Sequence, residues 1–526
     1  MTPLRVRWLG RVRYRDAHAL QHSLHAGSAD HLLLLEHPHV VTLGVRAKPE
    51  NLLITSQQAH ELGCEILETD RGGDVTYHGP GQLVGYPVMN VVEKPGAMAD
   101  TRAWVTAVEQ LLIDSLTDLG LEKVGRDPEY PGVWVDPDGP APRKIAAIGV
   151  RLTRGRSMHG FALNVDPDMS WFSRIVPCGI SDRPVTSVRA EGITVSMADV
   201  VEAVTRRAAE RWGDADFAAV DASPPPGTSA NRSVSVELKP SWLRPKAVMG
   251  DDYRSLRKRM RSLDLVTVCE EAGCPNIYEC WAEGTATFML NGERCTRACG
   301  FCLVDTSKPM PPDPLEPERV ATAVADMGLS HAVVTAVARD DLPDGGASGF
   351  AATVEAVRRR SPGTAVELLI PDCKGDPDAL ETVFASRPDV LNHNLETVLR
   401  LQRSVRPQAS YARSLSVLGR AKAAGLVTKS GLIVGMGETD DEVIGALADL
   451  RAVGVDIVTI GQYLRPSASH LPVARWWTPA EIDAVADAGR AMGFAHVEAS
   501  PLTRSSYHAR TSLEAAAATP AAQFGT

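Results

Sequence analysis

Apolar and polar residues in the second half of the chain follow two alternating periods. Runs rich in valine, isoleucine and leucine predict six buried strands, at residues 287–290, 332–337, 366–370, 390–393, 428–434 and 456–461. Apolar residues at helical spacing separate most of these runs and predict helices at residues 317–327, 348–359, 377–385, 411–424 and 440–452. Because strands that alternate with helices form a parallel sheet, the six repeats predict a partial (β/α)6 barrel.

The first half has a mixed pattern. Alternating or continuous apolar runs predict strands near the N-terminus and at residues 31–36, 39–44, 132–135, 144–152 and 158–165. Helical spacing predicts helices at residues 15–26, 100–119 and 196–212. Ser196 and Asp199 occupy capping-box positions at the start of the third helix. The pattern therefore predicts a mixed α/β domain.

A proline- and serine-rich stretch at residues 221–233 separates the two halves. It has almost no apolar surface to bury, so it is expected to be an exposed linker. A chain of 526 residues is also too long for one ordinary core. We expect an N-terminal domain over residues 1–217, a linker over residues 218–234 and a C-terminal domain over residues 235–526.

Composition excludes several classes of protein. A content of 44% hydrophobic and 23% charged residues is typical of a globular protein. The formal net charge of −10 argues against nucleic acid as a partner. No apolar run approaches the ~18 residues of a membrane span, so no membrane partner is expected. The N-terminal arginines alternate with apolar residues, which favours a strand over a transit peptide. Clustered thiols without a secretory signal predict a cytoplasmic protein.

Six of the nine cysteines form two sets within residues 269–302. Cys269, Cys274 and Cys280 are spaced C-x4-C-x5-C, and Cys295, Cys299 and Cys302 are spaced C-x3-C-x2-C. Zinc sites usually combine four ligands in C-x2-C pairs, and neither set has that form. A cubane cluster held by three thiolates leaves one iron open to another ligand. The spacing favours two iron–sulfur sites over a zinc or disulfide framework.

Two features of the first half are candidates for chemistry. Residues 71–82 contain four glycines and a proline, which excludes a helix and allows the backbone to approach a ligand closely. A plain glycine-rich hairpin is the alternative. Cys178 lies in a loop context between Pro177 and Gly179. Taken alone, a single cysteine is more often a small buried residue than a nucleophile.

Residues 71–87, 143–149, 159–164 and 177–179 together resemble lipoyl(octanoyl) transferases. The resemblance implies the mixed-sheet α/β fold of biotin and lipoate ligases. It also implies that Cys178 accepts an octanoyl group from octanoyl-acyl carrier protein, with Lys144 beside the thiol. The acceptors would be lysines of lipoyl domains, in 2-oxoacid dehydrogenase complexes and the glycine cleavage H protein. The implied substrate-binding residues are Arg71, Gly72, Gly73, Asp74, Val75, Thr76, Tyr77, His78, Ala147, Ile148, Gly149, Gly160, Phe161 and Ala162.

Two points of the first half stay open on sequence alone. A ligase that uses ATP would activate the acyl group as an adenylate and would need no cysteine. Whether the activity depends on Cys178 therefore distinguishes a transferase from a ligase. Cys64 matches no functional position and is interpreted as structural.

The second cysteine set, with Phe301 before its third member, resembles that of radical S-adenosylmethionine (SAM) enzymes. With residues 269–280, 284–289 and 504–509, the resemblance is to lipoyl synthases across residues 235–510. It implies a [4Fe–4S] cluster on Cys295, Cys299 and Cys302 whose open iron binds SAM. It also implies a second, auxiliary [4Fe–4S] cluster that donates sulfur, held by Cys269, Cys274, Cys280 and Ser506. An electron donor such as ferredoxin or flavodoxin would be required.

The two resemblances predict one bifunctional enzyme. It would transfer octanoyl to a lipoyl-domain lysine and then insert sulfur at C6 and C8 of that chain. An iron–sulfur scaffold or sensor without catalysis is an alternative, as is a radical SAM sulfurtransferase for another substrate such as dethiobiotin. Cys373, at the end of the third strand, is interpreted as a packing residue, with a further cluster ligand as the alternative.

Overall fold

The computed structural model describes residues 3–91, 99–180, 182–221, 239–243, 276 and 285–518. The chain divides into two compact units, Met1–Ala219 and Val220–Thr526. Cys269, Cys274 and Cys280 lie outside the described residues, as does most of the predicted linker.

The first unit is built on two sheets. Its strands are β1 (Leu4–Arg11), β2 (His31–Glu36), β3 (Val40–Leu43), β4 (Glu65–Glu68), β5 (Val75–His78), β6 (Gln82–Val88), β7 (Val124–Gly125), β8 (Val133–Val135), β9 (Arg143–Thr153), β10 (Arg156–Asn164) and β11 (Ala215–Ala219). Eight of them form a mixed sheet in the order β11-β1-β2-β6-β10-β9-β8-β7, and β4-β3-β5 form a smaller sheet. The mixed-sheet α/β fold predicted for this half is confirmed.

Four helices accompany these sheets: α1 (Tyr14–His25), α2 (Ser56–Glu61), α3 (Thr101–Asp118) and α4 (Met197–Trp212). The predicted capping box starts α4, where the Ser196 hydroxyl accepts from the backbone N–H of Asp199 and the Asp199 carboxylate accepts from the N–H of Ser196. The apolar face of α3, including Val108 and Leu112, shares one core with sheet residues such as Leu163. α1 contacts β6 and β10.

The predicted elements of this unit did not include the helix α2 or the strands β5 and β6, which lie in and directly after the glycine-rich segment. Three further short strands were also not predicted. β4 has charged ends, β7 has two residues, and β11 is rich in alanine, so none carries a clear apolar period. They form because a neighbouring strand offers unpaired backbone groups, as β1 does for β11. β11 continues to Ala219, and the domain limit at residue 217 stays a prediction.

The second unit contains a parallel sheet of seven strands in the order β12-β13-β14-β15-β16-β17-β18. The strands are β12 (Thr285–Leu290), β13 (His331–Ala336), β14 (Ala365–Leu369), β15 (Val390–Asn392), β16 (Thr428–Val434), β17 (Ile457–Gln462) and β18 (His496–Ala499). The described helices are α5 (Glu316–Met327), α6 (Ala347–Arg360), α7 (Pro377–Ala385), α8 (Gln402–Val405), α9 (Tyr411–Ala423), α10 (Asp440–Ala452), α11 (Pro479–Ala491) and α12 (Ala509–Ala518).

The predicted strands and helices of this half are confirmed, and the structure adds the strand β18 and the helices α8, α11 and α12. β18 was missed because its four residues include His496 and Glu498 and show no apolar run. The core between sheet and helices includes Phe288, Val334 and Leu368. Since all seven strands are parallel, their carboxyl ends meet at one edge, which is where such sheets carry their sites.

No helix among the described residues is long and apolar enough to cross a membrane.

Buried His37 should make the stability of the first unit depend on pH. Its Nδ1–H donates to the Val12 carbonyl oxygen at 2.7 Å, and its Nε2 accepts from the Tyr86 hydroxyl at 2.7 Å. Burial lowers the pKa of His37 from 6.5 to about 4. Between these two values the unfolded chain binds a proton that the folded chain does not. The contribution of His37 to stability is therefore complete above pH 6.5 and is lost as the pH falls towards 4.

Between pH 7 and pH 5, the wild-type unit should lose about 2 kcal/mol more stability than His37→Gln. Met158 is buried in the same unit, so peroxide oxidises it only when the unit unfolds. The extent of its oxidation as a function of urea concentration therefore measures this difference in stability. His60→Gln, at an exposed position, should behave like the wild type. An equal pH dependence in His37→Gln would contradict this assignment.

Candidate functional sites

The first unit contains a pocket that is partly open to solvent. The lining residues are Tyr14, Arg71, Gly72, Gly73, Asp74, Thr76, His78, Tyr86, Ala147, Ile148, Gly149, His159, Gly160, Phe161, Ala162 and Cys178. The structure thus brings together the glycine-rich segment, the β9 and β10 segments and the loop cysteine. The lining is mainly apolar around β9 and β10, which suits an aliphatic chain.

The structure separates the predicted substrate-binding residues of β5 into two groups. Thr76 and His78 line the pocket, whereas Val75 and Tyr77 belong to a separate apolar cluster with Trp171. Successive side chains of a strand point to opposite faces of the sheet, so four consecutive residues cannot all face one pocket. Val75 and Tyr77 therefore support β5 from behind.

Cys178 lies on a one-turn 3-10 segment, Pro177–Gly179, in a left-handed conformation with φ of 56°. The backbone N–H of Val176, just before the turn, donates to the Asn51 carbonyl oxygen at 2.8 Å, and Asn51 Nδ2 donates to Asp74 Oδ2 at 2.5 Å. A Cβ atom on the residue after Cys178 would lie 2.8 Å from that same carboxylate oxygen. Gly179 is therefore required for the turn to dock on Asp74 and present the thiol to the pocket.

The side chain of Lys144 reaches the same thiol from β9. Its Nζ lies 3.7 Å from Cys178 Sγ, although 34 residues separate the two in sequence. Lys144 is only 6% exposed, and its backbone forms a parallel β-bridge with that of Val185. A Cβ atom on Gly132 would lie 2.7 Å from Lys144 Cε, so the glycine leaves room for the lysine. The ammonium is thus held at a fixed distance from the thiol.

Arg71 supplies a second positive charge to the pocket. Its Nε and Nη2 donate to the Thr42 side chain and carbonyl at 3.1 and 2.7 Å, and its Nη1 donates to the Gly72 carbonyl at 3.1 Å. Burial lowers the pKa of Arg71, but a guanidinium stays charged in proteins. Arg71 and Cys178 line the same pocket, and Lys144 Nζ contacts the Cys178 thiol, which makes Cys178 a candidate nucleophile.

Three lining residues were not in the predicted set: Tyr14, Tyr86 and His159. His159 stands directly before the predicted Gly160, and its Nε2–H donates to Asp70 Oδ1 at 2.7 Å. This hydrogen bond lowers the pKa of Asp70 well below its usual range. The sequence carried a signal for His159, which begins a matching segment. It carried none for Tyr14, which reaches the pocket only because α1 packs on β6 and β10.

In the second unit, Cys295, Cys299 and Cys302 lie on the loop that follows β12, at the carboxyl edge of the parallel sheet. The backbone N–H of Thr296 donates to the carbonyl oxygen of Ala338, just beyond β13, at 2.9 Å. The loop is therefore fixed at the strand ends.

The chemistry of these three thiols suits an iron–sulfur cluster. Burial raises the pKa of Cys302 to about 11, and the neighbouring thiolates add to this rise. Bound iron would offset the free-energy cost of ionising the thiols. A [4Fe–4S] cluster takes each thiolate sulfur on a different iron, so three cysteines on one loop can hold three of its four irons.

Arg297 anchors the middle of this loop. It is 8% exposed, and it donates to Asp340 Oδ2 at 2.7 Å and to Asp372 Oδ1 at 2.6 Å. Burial opposes its charge, but the two carboxylates raise the pKa of Arg297 above its usual range. Asp340 and Asp372 follow β13 and β14, so the ion pairs tie the cysteine loop to two strand ends.

Ser505 and Ser506 differ in their contacts. The Ser505 hydroxyl accepts from Asn392 Nδ2 at 2.9 Å and donates to Asn394 Oδ1 at 3.0 Å. The Ser506 side chain makes no hydrogen bond within the part of the chain that the structure describes. Ser505 therefore anchors the segment at the end of β15.

One described residue connects this segment to the first cysteine set. Asn276, which lies between Cys274 and Cys280 in sequence, is buried and donates from Nδ2 to the Leu502 carbonyl oxygen at 2.7 Å. Leu502 shortly precedes Ser506.

The remaining described cysteines are packing residues. Cys64 belongs to the apolar cluster behind β5, and Cys373 belongs to the core of the second unit. Burial raises the pKa of both thiols, that of Cys373 to about 12. A buried thiol of this kind is a small apolar side chain.

Comparison with known families gives three matches. The lipoyl protein ligase A/B catalytic domain matches residues 13–209, the N-terminal domain of lipoyl synthase matches residues 228–274, and the radical SAM superfamily matches residues 291–450.

Individual proteins match over each half. The lipoyl synthase of Rubrobacter xylanophilus is 57% identical over 278 residues, which cover 52% of this chain and 87% of that protein. The lipoyl synthase of Mycobacterium avium is 56% identical over 279 residues, covering 53% and 91%. Among solved structures, a bi-partite lipoate protein ligase from Thermoplasma acidophilum covers 42% of this chain and 89% of its own, with 19% identity and a TM-score of 0.36.

Proposed function

The chain belongs to the lipoyl synthase family and carries a lipoate ligase/transferase-type domain in its N-terminal half, and we propose that it builds lipoyl groups on protein lysines in two steps. In the first step, Cys178 takes an octanoyl group from octanoyl-acyl carrier protein and passes it to a lysine of a lipoyl domain. In the second step, the C-terminal half inserts sulfur at C6 and C8 of the bound chain. Both steps act on one eight-carbon chain, which explains why the two halves share a polypeptide.

The observation that carries the first step is the distance of 3.7 Å between Lys144 Nζ and Cys178 Sγ at the wall of an apolar pocket. The thiolate attacks the carbonyl carbon of the carrier thioester, and the carrier thiol leaves. The acceptor amine then attacks the acyl-cysteine, and the Cys178 thiolate leaves in turn. Lys144 stabilises the thiolate at the start and end of this cycle and is placed to exchange protons with the amine. A ligase that forms an acyl adenylate would not use this pair.

The second step rests on the cysteine loop at the strand ends. Cys295, Cys299 and Cys302 would hold a [4Fe–4S] cluster, with one iron open to SAM. Cys269, Cys274, Cys280 and Ser506 would hold an auxiliary [4Fe–4S] cluster. When bound, the two clusters and SAM supply hydrogen abstraction and sulfur. The chain's own contribution is to fix the loop through Arg297 and to hold Ser505, the neighbour of Ser506, on Asn392 and Asn394.

The partners follow from the two reactions. Acceptors are the lipoyl domains of 2-oxoacid dehydrogenase complexes and the glycine cleavage H protein. A ferredoxin or flavodoxin provides electrons. The formal net charge of −10 supports no role for nucleic acid.

Replacing Lys144 by methionine should slow octanoyl transfer by about 10²–10⁴-fold, the usual contribution of a positioned acid–base group. The rate at which an acceptor lipoyl domain gains the mass of one octanoyl group measures this effect. Lys123→Met, at an exposed position, is the matched control. Wild-type transfer by Lys144→Met would contradict the assigned role.

A further inference from the structure

Three metal-ligating side chains converge beside the acyl pocket. His18 and His22 lie one helical turn apart on α1, and Asp70 directly precedes Arg71. His18 Nε2 lies 3.2 Å from His22 Nε2 and 2.9 Å from Asp70 Oδ1, and His22 Nε2 lies 3.7 Å from Asp70 Oδ2. Neither step of the proposed function uses this group.

Hydrogen bonding alone leaves the three groups incompletely matched. A neutral imidazole nitrogen carries either one proton or one lone pair. If His18 Nε2–H donates to Asp70, it has no lone pair for a proton from His22. His22 Nε2 can then only accept from the His18 Nε2–H proton, which already donates to Asp70. A cation at the centre would be bound by lone pairs of all three side chains.

We propose that His18, His22 and Asp70 form a binding site for a zinc-class transition metal ion. Tetrahedral coordination with bonds of about 2.0–2.1 Å places neighbouring ligand atoms about 3.4 Å apart. The observed separations of 2.9, 3.2 and 3.7 Å lie around this value. Two imidazoles and one carboxylate favour zinc over magnesium or calcium, which prefer oxygen ligands. His22 is 49% exposed on its side chain, which leaves a path for the ion and a fourth position for water.

Two other residues already contact Asp70. His159 Nε2–H donates to Asp70 Oδ1 at 2.7 Å, and Arg151 forms an ion pair with Oδ2. A carboxylate offers about four lone-pair positions, so Asp70 can keep the bond from His159 while it binds a metal. That bond would orient the carboxylate, as outer hydrogen bonds do in known metal sites. Arg151 is 43% exposed on its side chain and can turn into solvent.

The position of this site links it to the pocket. α1 begins at Tyr14, and Asp70 precedes Arg71, and both Tyr14 and Arg71 line the pocket. An ion held by both segments would cross-link them, so its binding should stabilise the first unit against unfolding.

The test uses the untagged full-length chain with its iron–sulfur clusters assembled without oxygen. Equilibrium dialysis against buffered free zinc should give one tightly bound ion per chain. His18→Ala and His22→Ala should each raise the dissociation constant by at least about 10-fold, since even loss of an outer partner has that effect. His60→Ala, an exposed histidine outside the group, should bind zinc like the wild type.

X-ray absorption at the zinc edge distinguishes this site from the cysteine sites. The expected shell holds nitrogen and oxygen at about 2.0–2.1 Å. A sulfur shell at about 2.3 Å would show that the ion occupies the cysteines and would overturn the proposal. Absence of tight zinc binding, or unchanged affinity in both histidine variants, would overturn it equally. None of these outcomes bears on acyl transfer or sulfur insertion.

Discussion

Replacing Cys178 by alanine is expected to abolish octanoyl transfer while sulfur insertion into a preoctanoylated lipoyl domain continues. We expect the acyl group to be carried between donor and acceptor on the thiol, because Cys178 lines the pocket and its Sγ lies 3.7 Å from Lys144 Nζ. Sulfur insertion uses the other unit, which has its own core and its own cysteine loop. The mass of the acceptor protein after each half-reaction measures both activities.

Cys64→Ala is the matched control for this experiment. Cys64 is buried in the cluster behind β5 and does not line the pocket, so its loss should leave transfer in place. Transfer by Cys178→Ala at the wild-type rate would favour an adenylate-forming ligase. Loss of both activities in that variant would show that the two halves cannot act separately.

Replacing Cys299 by alanine should abolish SAM cleavage and leave octanoyl transfer unchanged. Cys299 is one of three partly buried thiols at the strand ends, and a cluster held by only two thiolates would be lost on purification. Anaerobically reconstituted wild-type protein should hold roughly eight irons, in two cubanes, and the variant should hold roughly four. Iron analysis and release of 5′-deoxyadenosine measure the two effects.

The buried core residue Cys373 provides the control for the iron count. Cys373→Ala should keep about eight irons and full SAM cleavage, because its thiol packs in the core of the second unit. A drop in iron content in Cys373→Ala would instead make Cys373 a cluster ligand. About four irons per wild-type chain would contradict the presence of a sulfur-donor cluster.

The periodic elements of both units could be predicted from local pattern because each buries a full apolar face. α3 and the strand β16 are examples, with continuous helical or strand spacing over their length. β11 and β18 could not, because short strands of alanine or charged residues are stabilised by a neighbouring strand and leave no period of their own.

The candidate sites also divide into those that local sequence predicts and those that depend on the fold. Spacing alone identified the cysteine loop, because its ligands are close in sequence. The pairing of Lys144 with Cys178 depends on how β9 is bridged to Val185, which no local pattern encodes, and it was expected only from the family resemblance. Val75 and Tyr77 show the limit of that resemblance, since matching a segment does not say which of its side chains face the pocket.

The most direct test of the two-step account follows the mass of a lipoyl domain incubated with the cluster-loaded chain, octanoyl-acyl carrier protein, SAM and a reductant. We expect the domain to gain first an octanoyl group and then two sulfur atoms, without ATP or free lipoate. A domain that stays unmodified until ATP and a free fatty acid or lipoate are added, or that never progresses beyond octanoyl, would contradict it.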